Sequence, residues 1–263
     1  MGTTEEKEVT AIIQARLGSA RLPAKTMADI RGKPMLLRVL ERVAEAQRID
    51  NIVVATTTLE KDDLLVKKAE SWGFEVFRGS SEDVLSRYYG AAEEFACSQV
   101  VRIASDCPLI DPQIADQVVG EHLDGGYDYT SNALNRSTFP RGLDVECFTF
   151  EALRLAADMA REDYQREHVT PFLYENPEMF SLHNVPAPPN LAFPEMRICV
   201  DTIEDLEAVR AIFEAFPDEE KGPDAAQVVG FLLEHPEVVA INAEIKQKGL
   251  KESGGEGNGS HAR

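Results

Sequence analysis

The sequence predicts an α/β fold with a mainly parallel central sheet flanked by helices, and three observations carry that prediction. Runs rich in β-branched residues recur in the first half, at 9–15 (VTAIIQA), 51–57 (NIVVATT), 74–79 (FEVFRG) and 99–105 (QVVRIAS). They are apolar without strict alternation, as strands buried on both faces are. Stretches of helical pattern separate them, at 34–47, 60–72, 83–95 and 112–123, and that strand–helix repetition is the mark of a parallel sheet with helical crossovers.

Each element has its own signal. Pro34 and Pro112 stand at helix starts, where a missing N–H costs nothing. After the fourth helix, DYTSN and GLDVECFTF read as strands and 150–161 as a helix. The stretch REHVTPFLYENPEMF follows, then the Pro-rich connection VPAPPNLAFP. MRICVDT reads as one more sheet strand, 203–216 as its covering helix, and two short helices near Gln227 and Val239 close the fold. No internal repeat or long linker divides the chain. The expectation is one domain over 1–250, with an insertion around 140–195 on the substrate side and a disordered tail at 251–263 (KESGGEGNGSHAR), which is polar and Gly-rich.

Composition narrows the function. With 263 residues and 43% hydrophobic content the chain can bury a sizeable core. A formal net charge of −19 argues against a general nucleic-acid binder, which needs basic surface to displace counterions. Cys97, Cys107, Cys147 and Cys199 contain no C-x-x-C pair, so a zinc site is not indicated. There is no signal-peptide pattern and no apolar run of about 18 residues, and the expectation is a cytoplasmic protein without a membrane segment.

Against that acidic background, residues 16–42 hold seven Lys/Arg and only two Asp/Glu. Gly18 and Ser19 mark a turn directly after the first strand, and Arg16, Arg21, Lys25, Arg31 and Lys33 crowd around it. Backbone that a ligand can approach, ringed by cations, suits an anion. The spacing is neither G-x-x-x-x-G-K-[ST] nor G-x-G-x-x-G. A solvated basic loop is the plainer alternative. Two aspartates, Asp106 in RIASDCPL and Asp201 in RICVDTIEDL, follow apolar runs, and ligands in such sheets bind beyond the C-terminal strand ends. Asp201 could instead cap the helix at 203–216, unless Thr202 does so, and Asp106 could be a turn residue before Pro108. In GSSEDVLSRYY, Arg87 stands four residues after Asp83, so an intrahelical ion pair competes with any ligand role.

The stretch QARLGSARLPAKTMADIRGKPML resembles the opening of the sugar-nucleotide cytidylyltransferases, the group that contains the synthetases of CMP-sialic acid and CMP-ketodeoxyoctonate. Ala15, Arg16, Gly18, Ser19, Arg21, Leu22, Pro23, Lys25, Gly32, Lys33 and Pro34 carry the likeness in order. RGSSEDVLSRYY, RIASDCPLIDP, PRGLDVECF and REHVTPFLYENPEMF extend it toward the spore-coat polysaccharide protein F family, and the likeness runs from about Val9 to Phe216.

The resemblance implies a nucleotide-diphospho-sugar transferase (Rossmann-like) architecture. It implies transfer of CMP from CTP to a small acidic acceptor, a nonulosonic or related sugar acid or a phosphonate, with release of pyrophosphate. It further implies Mg2+ held by Asp106 and Asp201, and a homodimer. Nucleotide contacts then fall to Ala15, Arg16, Gly18, Ser19, Arg21, Lys25, Ser80, Ser81 and Arg87. Arg16, Lys25, Asp106 and His168 are the candidate catalytic residues, and Arg141, Asp144, Glu146, Arg166 and His168 the candidate acceptor pocket. Arg offers a planar fork for an anionic group, and Asp144 and Glu146 share one strand face for hydroxyl recognition. His168 is either a base, an orienting group or a structural histidine. Two other classes stay open. A metal-dependent glycosyltransferase with a nucleotide-sugar donor usually has an Asp-x-Asp pair, absent here, and a non-catalytic nucleotide-binding protein would need no acceptor.

Overall fold

The computed structural model describes residues 8–18, 21–134, 138–247 and 249. Seven strands form one sheet: β1 (Val9–Gln14), β4 (Asn51–Thr57), β5 (Glu75–Gly79), β6 (Gln99–Ala104), β7 (Tyr129–Ser131), β8 (Glu146–Thr149) and β9 (Leu182–Asn184), in the order β5-β4-β1-β6-β8-β7-β9. The pairs β1·β4, β4·β5, β1·β6 and β7·β9 are parallel. Only β8 runs against its neighbours β6 and β7. A separate hairpin, β2 (Asp29–Ile30) with β3 (Lys33–Pro34), turns through Arg31 and Gly32, both at positive φ, the twist-matched geometry of a two-residue hairpin loop.

The strands are apolar throughout because both sheet faces are covered. On β1, Ala11 and Ile13 enter one core and Ile12 the other, as a pleat of period two requires. The first core is closed by α1 (Met35–Val43), α2 (Asp63–Ser71), α4 (Pro112–Gly125), α8 (Ile203–Ala215), α9 (Ala225–Glu234) and α10 (Pro236–Ile241), and the second by α3 (Val84–Glu94), α5 (Phe150–Met159) and α7 (Pro171–Glu175), with α6 (Asp163–His168) on α3. Among the described residues no helix is long and apolar enough to cross a membrane.

One expectation needs correction. MRICVDT is not a sheet strand. It forms one isolated bridge, Arg141 to Arg197, and its amides go to loop carbonyls, Ile198 to Arg141 and Val200 to Asp106. Its apolar residues are buried under helices, so burial alone produced the strand-like pattern. REHVTPFLYENPEMF, which carries no clear pattern, runs from the last residues of α6 through α7 into a turn, and the two helices join at buried Val169, whose φ of 73 is exceptional for a β-branched residue.

The topology fixes where a ligand belongs. From β1 the chain steps to β4 and β5 on one side, then crosses back by α3 to β6 on the other. The order reverses between β1 and β6, so the crevice beyond their C-terminal ends is the switch point. The loops after β1 and after β6 both open there.

Candidate active site

The loop after β1 is pinned before it spreads. The Ala15 amide donates to the Ala55 carbonyl (3.1 Å), and the Leu17 amide donates to Asp62 Oδ1 (2.8 Å). Asp62 is fully buried and also accepts from the Thr57 hydroxyl. The Leu17 carbonyl accepts from the Ala24 amide (3.1 Å), and Ala24, at φ 54, starts a 3-10 turn over Lys25–Met27. This closed loop leaves Arg16 and Arg21 exposed and Lys25 half-buried. Gly18 lies under Lys61: a Cβ built there would stand 2.6 Å from the Lys61 ammonium. Ser19 lies outside the described residues.

Lys25 draws the two distant aspartates together. Its Nζ donates to Asp106 Oδ2 (2.8 Å), Asp201 Oδ1 (2.9 Å) and the Val200 carbonyl (2.9 Å). Thr202, not Asp201, caps α8, in a capping box with Asp205, which leaves the Asp201 carboxylate for the site. Arg21 reaches the same oxygen, Asp201 Oδ1, at 3.0 Å, while Arg197 holds Asp201 Oδ2 at 3.0 Å and grips Asp205 with two further bonds. Burial by itself would lower the Lys25 pKa, but Asp106 and Asp201 outweigh it and the net shift is upward. Burial would likewise raise Asp201, but Lys25, Arg21 and Arg197 bring it below the ordinary carboxylate value.

The remaining cations of the basic segment go elsewhere. Arg31 donates to the carbonyls of Phe216 and Pro217, Lys33 pairs with Glu41, Arg38 donates to the Ile30, Arg31 and Glu220 carbonyls, and Arg42 donates to four carbonyls from Ile110 to Pro223. The hairpin turn at 31–32 separates these structural cations from the loop.

Ser80 is exposed, and its Oγ accepts from the Glu82 and Asp83 amides. Ser81 is half-buried. Arg87 donates to the Ser80 carbonyl rather than to Asp83, and burial, reinforced by Arg16 nearby, lowers its pKa. Asp83 caps α3 and pairs instead with Arg166 (2.6 Å), which also donates to the Ala157 and Ala160 carbonyls. Arg166 thus clamps α6 onto the start of α3.

Arg141 is exposed, and its backbone makes the bridge to Arg197. Asp144 is half-buried; burial raises its pKa against the pull of Arg141, and Glu146 adds to the rise. Glu146 is buried, ion-paired to Arg102 directly across β6, and accepts from the Tyr129 and Thr170 hydroxyls, each at 2.6 Å. His168, half-buried, ends α6 just before the strained Val169.

Four residues of this region escape a reading by motif: Lys61, Asp62, Arg102 and Arg197. Lys61 and Asp62 sit in EKDDLL, which reads only as an acidic helix start. Arg102 inside an apolar strand was a usable signal, because a charge buried there must be paired.

A switch-point crevice lined by a cation-rich loop and two loop carboxylates, Asp106 just beyond β6 and Asp201 just before α8, defines a nucleotide-handling α/β protein of the nucleotidyltransferase type. The family pattern described as cytidylyltransferase matches residues 10–234. The spore coat polysaccharide biosynthesis protein SpsF of Bacillus subtilis is 32% identical over 235 residues, 88% of this chain and 96% of that protein. A cytidylyltransferase structure from Leptospira borgpetersenii superposes with a TM-score of 0.85 at 33% identity, covering 92% of this chain and 100% of that one. The structure of a CMP:2-keto-3-deoxy-manno-octonic acid synthetase complexed with CTP shares the fold, with a TM-score of 0.60 at 20% identity, over 79% and 99% of the two chains. The chain belongs to the cytidylyltransferase family and is a nucleotidyltransferase.

Proposed function

We propose that the protein transfers CMP from CTP to a small acidic acceptor, a sugar acid or a phosphonate, and releases pyrophosphate. The observation that carries this reading is the convergence of Asp106 and Asp201 on one ammonium, at the switch point and in contact with the exposed Arg21. The family supports cytidylyl transfer, and the SpsF relative supports an acceptor drawn from polysaccharide biosynthesis.

In this reading Arg16, Arg21 and Lys25 bind the triphosphate, with the loop backbone at 15–18 approaching it. Ser80, Ser81 and Arg87 border the nucleotide. An acceptor oxygen bonds to the α-phosphorus, the α–β bridging P–O bond breaks, and pyrophosphate leaves. Arg21 and Lys25 offset the charge that develops on the leaving oxygens. His168 and Asp144 stand on the acceptor side with Arg141, while Glu146, held by Arg102, and Arg166, held by Asp83, support that side rather than reach into it. Where the acceptor attacks through a hydroxyl, His168 takes its proton; an already ionised oxygen needs no base.

The donor set suits Mg2+. Three oxygens, from Asp106, Asp201 and Val200, already surround one cation at 2.8–2.9 Å. Two carboxylates with room for phosphate oxygens and water are what Mg2+ takes in nucleotide sites. Bound there, Mg2+ would screen the triphosphate from an anionic acceptor.

Nucleotide choice tests the reading against a glycosyltransferase. With Mg2+ present, CTP should raise the melting temperature and UDP- or GDP-sugars should not. The reverse pattern would replace this function with glycosyl transfer.

A further inference from the structure

We propose that Lys25 is the resident cation of the seat formed by Asp106, Asp201 and the Val200 carbonyl, and that a bound triphosphate draws it out so that a divalent cation can enter. The inference rests on the reading of Asp106 and Asp201 as the cation-holding pair.

All three N–H groups of the Lys25 ammonium are spent on the seat, at 2.8, 2.9 and 2.9 Å. The same oxygens cannot serve an ammonium and a divalent cation at once. The seat is also charge-balanced without metal. Asp106 and Asp201 face Lys25 and Arg21, while Arg197, the third cation on Asp201, is matched by Asp205.

The contacts divide by their mounting. Arg197 holds Asp201 Oδ2 and is fastened to Asp205, which is fully buried, so it stays whatever the loop does. Arg21 and Lys25 share the other oxygen, Oδ1; Arg21 sits on the loop after Leu17, and Lys25 opens the 3-10 turn that ends it. Only the loop cations are free to leave. A triphosphate carries several negative charges, enough to compete for both, and each one it takes uncovers a carboxylate oxygen. Nucleotide and divalent cation therefore assist each other, and the coupling is reciprocal.

Mn2+ serves as the probe, counted as bound ion by electron paramagnetic resonance. Without nucleotide, wild type should bind Mn2+ weakly and Lys25→Met about ten times more tightly, because the carboxylates lose their internal partner. With a chelator present and no metal, Asp106→Asn should tighten CTP binding severalfold in calorimetry by freeing Lys25. That gain should be clearly smaller in the Lys25→Met background, where only general charge repulsion is left to relieve.

Mn2+ binding to Lys25→Met no tighter than to wild type would overturn the exchange and leave Lys25 as an organiser of the carboxylates. An Asp106→Asn gain that is undiminished without Lys25 would overturn it as well. Mn2+ binding to neither protein, with or without CTP, would instead remove the cation-pair reading itself.

Discussion

Asp62 makes a counter-intuitive prediction. It is a buried carboxylate placed under the loop proposed to bind the triphosphate, so on charge alone its removal should tighten CTP. Position argues the opposite. Its Oδ1 receives the Leu17 amide at 2.8 Å, and its Oδ2 receives the Thr57 hydroxyl. Asp62→Ala deletes a charge-assisted bond of about 1.5–3 kcal/mol and strands two polar groups. We expect a loss of about 2–4 kcal/mol in urea unfolding, or roughly 5–12 °C in melting temperature for a chain of this size. With Leu17 released, Arg16 and Gly18 lose their fixed approach to the phosphates, and CTP affinity should fall about tenfold, or 1.4 kcal/mol. Asp62→Asn keeps an acceptor for Leu17 and should recover much of both. The reasoning is refuted if Asp62→Ala unfolds at the wild-type urea concentration, or if calorimetry finds CTP binding equal or tighter.

Asp106→Asn and Asp201→Asn should each cut turnover by about 100-fold or more, since each removes a charge from the cation seat and almost no volume; near-normal rates at saturating Mg2+ would contradict this. Arg16→Ala should weaken CTP by about 1.5–3 kcal/mol, and Lys61→Ala by less, with CMP binding nearly unchanged in both; an equal loss for CMP would move these cations off the β- and γ-phosphates. The pH profile has a definite sign. Asp201 is shifted down and Lys25 up in the folded protein. The stability Asp201 contributes is present above its unfolded value near 3.9 and lost as pH falls through the lowered folded value, and that of Lys25 is present below about 10.4 and lost as pH rises through the raised one. The stability difference between wild type and Lys25→Met should therefore be flat near neutrality and shrink at both extremes; a difference that grows in acid would contradict the pairing.

The parallel half of the sheet was legible because burial on both faces leaves unbroken β-branched runs: NIVVATT at 51–57 coincides with β4. Asp106 and Asp201 were legible as strand-end or loop carboxylates, but not their meeting, which depends on the Val200 amide bonding to the Asp106 carbonyl. The basic segment was read as one cluster because its residues are neighbours in sequence. The Arg31–Gly32 turn sends Arg31 and Lys33 to structural partners and keeps Arg16, Arg21 and Lys25 at the crevice. Asp62 was illegible because its partner, Leu17, lies in another element, and no local rule distinguishes a buried loop anchor from an acidic residue at a helix start. Alternation puts Asp144 and Glu146 on one strand face, but β8 begins only at Glu146, and alternation does not tell that Glu146 is already taken by Arg102, Tyr129 and Thr170.

The most direct test is pyrophosphate release from CTP and Mg2+ across a panel of sugar acids and phosphonates, with mass spectrometry of the products. The account predicts that at least one acidic acceptor yields pyrophosphate and a product heavier by one CMP group, lost in Asp106→Asn. Transfer of a sugar from a UDP- or GDP-sugar, with no CMP adduct from any acceptor, would contradict it.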